Sequence, residues 1–175
     1  MALGRFCLVA VLVGGCLGAS VTTGFSAKDT AVTTSGLPVP RYVSLKSDRV
    51  NVRVGPTKDN DVAWVYTRAG LPVEVTAEFE NWRRIRDSEG AEGWVYHSLL
   101  SGRRTAVVTM KQKTDLASLY ESDDKSSPVT ARLQAGVIAR VKKCDAHWCH
   151  IEGKGFDGWI EQQRLWGVYA DEMVN

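Results

Sequence analysis

Apolar and polar residues alternate along most of this chain with the period of a β-strand. Arg49-Val-Asn-Val-Arg-Val54 is the clearest case: Val50, Val52 and Val54 share one face, and Gly55-Pro56 ends the run. Val73, Val75, Ala77 and Phe79 alternate with Glu74, Thr76 and Glu78, which predicts a half-buried strand with its apolar face inward. Residues 62–67 are rich in β-formers, 42–46 alternate weakly, and 105–109 read as a strand closing the first half of the chain. Between Glu80 and Tyr96 the pattern predicts two short strands with a turn near Ser88 to Ala91. Trp82 opens the first, and Gly93-Trp94-Val95 opens the second. His97-Ser-Leu-Leu100 suits a single 3₁₀ turn. Helical periodicity with caps is sustained nowhere.

The Trp82 to Trp94 stretch returns later in the chain. Trp82 matches Trp148 and Ile85 matches Ile151 at a spacing of 66, while Trp94 matches Trp159 at 65. Gly70 matches Gly136, Leu100 matches Leu165, and Leu116-Ala-Ser-Leu-Tyr120 takes the place of the Val50 to Val54 strand. A period this long fits a whole small domain better than a solenoid unit. Short strands with frequent turns predict an all-β chain of two tandem small barrels. They span 42–109 and 112–169.

The N-terminus changes the picture of where the chain works. One early positive charge, Arg5, precedes the apolar run Phe6-Cys-Leu-Val-Ala-Val-Leu-Val13, and small residues follow it. That is the layout of a secretory signal peptide over 1–27, cleaved after Ala19, Ser20 or Ala27. The alternative is an N-terminal membrane anchor, for which the run is short. Cys16 sits in a poor lipobox, so a lipid anchor there is the lesser expectation. Residues 28–41 are rich in Ser, Thr, Gly and Pro and read as a flexible lead-in. The mature chain is expected in the periplasm or outside the cell, with no transmembrane segment once the leader is removed. Removing Arg5 with the leader takes the formal net charge from +2 to about +1. Near-neutrality argues against a nucleic-acid partner, which would call for a basic face.

Cys144 and Cys149 flank a four-residue turn in a chain bound for export, which favours a disulfide. The alternatives are free thiols, or a zinc site recruiting His147 and His150, which one tight turn would hold poorly in tetrahedral geometry. A redox pair would need Cys-x-x-Cys, which is absent. For catalysis the candidates are few. There is no nucleophile elbow, no phosphate loop and no dinucleotide fingerprint, so neither an enzyme nor a cofactor is expected.

Asn51-Val-Arg-Val-Gly-Pro56, then Asn81-Trp82, then Glu92-Gly-Trp-Val-Tyr-His-Ser-Leu-Leu100 resembles the bacterial SH3-like domain family. The resemblance is strong over 42–108. Over 112–169 it keeps its order but loses the Asn-Val-Arg start. It implies two five- to six-stranded barrels and a non-enzymatic binding role, often towards cell-wall peptides or glycans in exported proteins.

Trp82 lies three residues from Ile85, so on a strand the two face opposite sides. With Ile85 inward, Trp82 is expected to face out. The family likeness makes it a groove wall, with Tyr96 and Leu99 across the groove; the alternative is that it covers a barrel end or packs on the other domain. Trp94 and Tyr66 are further binding candidates, each with a packing alternative. In the second copy Glu161 replaces Tyr96 and Arg164 replaces Leu99, which predicts a more polar groove. The expected partner is peptidoglycan. The other reading is an accessory protein that docks an envelope protein through its aromatic surface.

Overall fold

The computed structural model of the chain describes residues 31–112 and 114–175. The expected signal peptide, with Cys7 and Cys16, lies outside the described residues, as do 28–30 of the lead-in.

Two antiparallel sheets carry the fold. The first runs in the order β5 (Val62–Tyr66), β4 (Val50–Arg53), β8 (Glu92–Tyr96), β7 (Trp82–Arg86), β6 (Pro72–Phe79), β3 (Arg41–Leu45), β9 (Leu100–Ser101). The second runs β12 (Val129–Gln134), β11 (Leu116–Tyr120), β15 (Phe156–Glu161), β14 (Trp148–Gly153), β13 (Ile138–Asp145), β10 (Thr105–Val108), β16 (Leu165–Trp166). The short strand β17 (Met173–Val174) pairs with the far end of β13. Every strand of the second order is the counterpart of one in the first. The 3₁₀ turns η1 (His97–Leu99) and η2 (Gln162–Arg164) stand at matching points. The chain is thus two tandem SH3-like barrels, as the repeat predicts.

One strand differs from its expected role. Thr105–Val108 does not close the first sheet; it pairs with β13 and β16 of the second. Only Gly102, Arg103 and Arg104 separate it from β9, so the chain passes straight from one sheet into the next. Its place in the first sheet is taken by β3, which precedes that copy's valine strand. All four residues of β10 are buried, and Ala106 and Val108 sit in the second core.

The cores follow the alternation. Val50, Val52, Val73, Val75, Ile85 and Val95 are each fully buried in the first. Leu119, Ile151 and Ile160 fill matching positions in the second. Val54 does not join them: β4 ends at Arg53, and Val54 is 64% exposed.

A bulge breaks the alternation of β6. Val75 pairs with Ile85, but Ala77 pairs with Arg84, so Thr76 is an extra residue on one side of the ladder. Beyond it the two faces exchange. Phe79, expected inward, is 49% exposed, and the Glu78 side chain, expected outward, is 1% exposed. Its carboxylate accepts from Arg41 at 2.6 Å and from the Ser35 amide and hydroxyl at 2.9 and 2.8 Å, and it forms an ion pair with Arg83 Nε at 3.0 Å. Burial acts to raise its pKa, but the hydrogen bonds from Arg41 and Ser35 outweigh it and hold the group at about 2.

Ser35 belongs to the segment expected to be a flexible lead-in. From residue 31 this segment instead forms a two-residue ladder, β1 (Ala31–Val32) with β2 (Pro38–Val39), and is pinned to the barrel through Glu78. Its Ser and Thr content serves local turns and this carboxylate.

The barrels meet through an aromatic and ionic junction. Tyr42 lies between Trp166 and Tyr169, with ring centres 5.1 and 4.6 Å away. The Tyr169 hydroxyl donates to Glu74 at 2.9 Å, and Arg86 clamps the other oxygen of that carboxylate. Glu74 is therefore buried although its strand partner faces are polar in the sequence. Thr105 Oγ1 donates to the Gly70 carbonyl across the same boundary at 2.8 Å. Gly167 has φ +121°, and a Cβ there would stand 2.5 Å from the Thr105 carbonyl oxygen.

A disulfide joins Cys144 and Cys149, which face each other across the β13–β14 hairpin. Both are fully buried, and the oxidised sulfurs are not available as thiolate ligands.

Candidate functional site

Strand register decides which side chains share the outer face of the first barrel. Trp82 stands opposite Tyr96, Arg84 opposite Trp94, and Arg86 opposite Glu92. On the other side of β8, Arg53 stands opposite Trp94. Gly93 and Val95 point into the core, so Trp94 and Tyr96 point out. Likewise Val50 and Val52 point in, and Asn51 and Arg53 point out.

At one end of this face lies a groove of about 340 Å³. Trp82, Tyr96 and Leu99 border it, as the sequence reading expects. Asn51, Arg53, Lys58 and Ser98 also line it, and the sequence reading missed these. The signal was available for Asn51 and Arg53, since the alternation that puts Val50 and Val52 inward puts these two outward.

Trp82 is not the exposed wall expected from its place on the strand. It does face away from Ile85, but it is only 7% exposed. Tyr96 packs edge-on against it, with ring centres 5.4 Å apart and planes at 82°. The indole is the floor of the groove rather than a free wall. Half-buried Tyr96 and Leu99 are its accessible apolar surface. Arg53 donates to the Asn60 carbonyl, which fixes its guanidinium beside the groove. Lys58 is exposed. Among the described residues neither cation forms an ion pair, and no carboxylate lines the groove.

The other two candidates lie elsewhere. Tyr66 packs against the first core together with Trp64, and its hydroxyl donates to Asp87 at 2.7 Å. Burial, then that bond, push the phenol well above its ordinary pKa. Trp94 is on the groove's face but not in its lining. It sits between Arg53 and Arg84, and Arg84 is paired with Glu92 at 2.6 Å.

The corresponding place in the second barrel is built differently. Trp148 stands opposite Glu161, as Trp82 stands opposite Tyr96. Tyr120 stands opposite Trp159, as Arg53 stands opposite Trp94. Tyr120 packs edge-on to Trp148, with centres 5.5 Å apart. Glu161 is held by Lys125 at 2.7 Å and neighbours Arg164 at 3.8 Å. The Lys125 contact lowers its pKa. A wider hollow of about 510 Å³ lies beside η2. Its buried polar side chain, Gln162, is already engaged with the Glu172 carbonyl and the Asp171 amide.

Among the described residues no cluster of three or more His, Cys, Asp or Glu could hold a metal ion. Within the same residues no helix is long and apolar enough to cross a membrane. His150 stacks on Trp159 and bonds Asp157, so it takes no part in either groove.

The sequence matches the family described as bacterial SH3 domain over 46–102 and again over 113–167. No curated protein matches the chain. Among solved structures it is similar to NlpC2 from Trichomonas vaginalis, at 13% identity and a TM-score of 0.32, covering 73% of this chain and 48% of that one. NlpC1 from the same organism is similar at 13% identity and a TM-score of 0.31, with 79% and 49% covered. An NlpC/P60 family protein from Bacillus cereus ATCC 10987 is similar at 10% identity and a TM-score of 0.30, with 74% and 57% covered. The chain thus spans about half the length of the solved structures it matches. At such TM-scores these likenesses say nothing of what the chain does.

Proposed function

This chain belongs to the bacterial SH3 domain family, and from that premise we propose that it is an exported, non-enzymatic binding module that recognises cell-wall peptide or glycan. The observation that carries the reading is the groove on the first barrel. Tyr96 and Leu99 offer apolar surface over a fixed indole floor, while Asn51, Arg53, Lys58 and Ser98 offer polar groups along the rim. A concave apolar site with a few fixed polar groups is the usual form of a ligand site. The second barrel has the same scaffold, but Glu161 and Arg164 replace the apolar Tyr96 and Leu99 and its carboxylate is met by Lys125. It serves as a structural companion. The disulfide supports an oxidising compartment, and the N-terminal layout supports export.

Co-sedimentation with purified peptidoglycan sacculi tests the proposal. The exported chain is expected to pellet with sacculi, and Tyr96→Ala to lose most of that binding with a modest fall in melting temperature, since its ring also covers Trp82. Tyr96→Ala binding sacculi as well as the parent would remove the groove from the reading. Capture from envelope extract without sacculus binding would favour an envelope protein as the partner instead.

A further inference from the structure

The two grooves differ by an exchange between strands. In the first barrel the floor tryptophan pairs with an aromatic on β8, and the neighbouring strand β4 supplies a cation, Arg53. In the second barrel the floor tryptophan pairs with an aromatic on β11, the counterpart of β4. There β15, the counterpart of β8, supplies an anion, Glu161. The aromatic contact is preserved, and the sign of the fixed charge beside it is reversed.

The charges also differ in their partners. Glu161 is already met by Lys125 within its own barrel. Arg53 and Lys58 have no ionic partner among the described residues, and one of them is held in place by the Asn60 carbonyl. Two uncompensated cations beside an apolar corner complement a chain that carries carboxylates. The corner's shape narrows the choice further. Sugar recognition by stacking needs an exposed flat ring face. Here the indole is buried, and its partner ring stands nearly perpendicular to it, at 82°. With no open indole face to stack on, the corner suits a peptide better than a sugar ring.

We infer that the first groove selects a carboxylate-bearing peptide, with Tyr96 and Leu99 packing on its backbone and Arg53 and Lys58 meeting its carboxylate. This rests on the binding role proposed above and specifies its ligand class. The second groove, with its own charge satisfied, takes no such ligand.

The test uses soluble muropeptides released from sacculi by a glycan-cleaving enzyme, and the same muropeptides with their carboxyls converted to amides. Peptide-free glycan fragments form a third arm. Titration of the full exported chain should show amidation weakening binding roughly tenfold, in line with the loss of a charge-assisted hydrogen bond. Lys58→Gln, which removes an exposed side chain, should lose part of that preference, and Arg53→Gln with Lys58→Gln should lose nearly all of it. Equal affinity for native and amidated muropeptides would overturn the inference while leaving wall binding intact. So would glycan fragments binding as tightly as muropeptides. Failure of sacculi and muropeptides alike to bind would overturn the wall-binding reading as well.

Discussion

Glu78 gives the sharpest test of the first barrel's energetics. Its carboxylate, 1% exposed, is bonded by Arg41, Arg83 and both donors of Ser35. Its pKa is about 2 in the folded chain against an ordinary 4.5. A carboxyl depressed by folding stabilises the native state above its unfolded pKa, and that contribution is lost as pH falls towards the folded value. The window therefore runs from pH 4.5 down to about 2. At about 1.4 kcal/mol per unit, the full contribution is about 3 kcal/mol. Glu78→Gln keeps the shape, removes the charge and leaves Arg41 and Arg83 without their counter-ion, so it should cost roughly 3 kcal/mol near neutrality. Denaturant titrations of parent and variant at a series of pH values measure the gap. It should be constant above about pH 5 and close steadily below it. A gap that stays the same down to about pH 3 would refute the assignment of this stability to the ionised carboxylate.

Three further outcomes follow from the packing. Trp82→Ala should lower the stability of the first barrel by about 3–5 kcal/mol, because the indole is buried, and calorimetry should show the loss in one of two transitions. Replacing Cys144 and Cys149 by Ala should cost about 2 kcal/mol, since the closed loop is short, and the loss should be confined to the second barrel's transition. Gly167→Ala should lower the second barrel's transition, because its Cβ would meet that barrel's own backbone at Thr105 and Ala106, 2.5 Å and 2.9 Å away, and Pro72 of the first barrel at 3.1 Å; a variant melting like the parent would show that these contacts yield easily.

The cores were legible in the sequence because burial there depends on alternation within one strand. Val50, Val52, Val73, Val75 and Ile85 all follow it. What alternation could not show was the effect of a neighbour across a ladder. Trp82 faces outward as expected, yet Tyr96 covers it, so outward did not mean exposed. Glu74 lies on the polar side of its strand, yet Tyr169 from the second barrel buries it. A bulge of a single residue at Thr76 leaves no mark in a pattern of period two, and it reversed both Glu78 and Phe79. The role of Thr105–Val108 was hidden for another reason. Arg41–Leu45 and Thr105–Val108 are structural counterparts with little sequence in common, so the repeat gave no hint of where each copy begins. The groove was half legible: its aromatics and Arg53 stand in the family motif, and alternation turns Arg53 outward, while Lys58 comes from a loop that only folding brings beside them.

The bulge in β6 also bears on maturation. By turning Glu78 inward, it makes a barrel carboxylate rely on a serine upstream of the barrel's first long strand. Proteolysis beyond Ser35 would carry off two of the donors and leave the arginines alone with the charge. Cleavage after Ala19, Ser20 or Ala27 would spare them all. The first barrel thus sets a limit on how far the chain can be trimmed from its N-terminal end before the folded domain begins to lose stability.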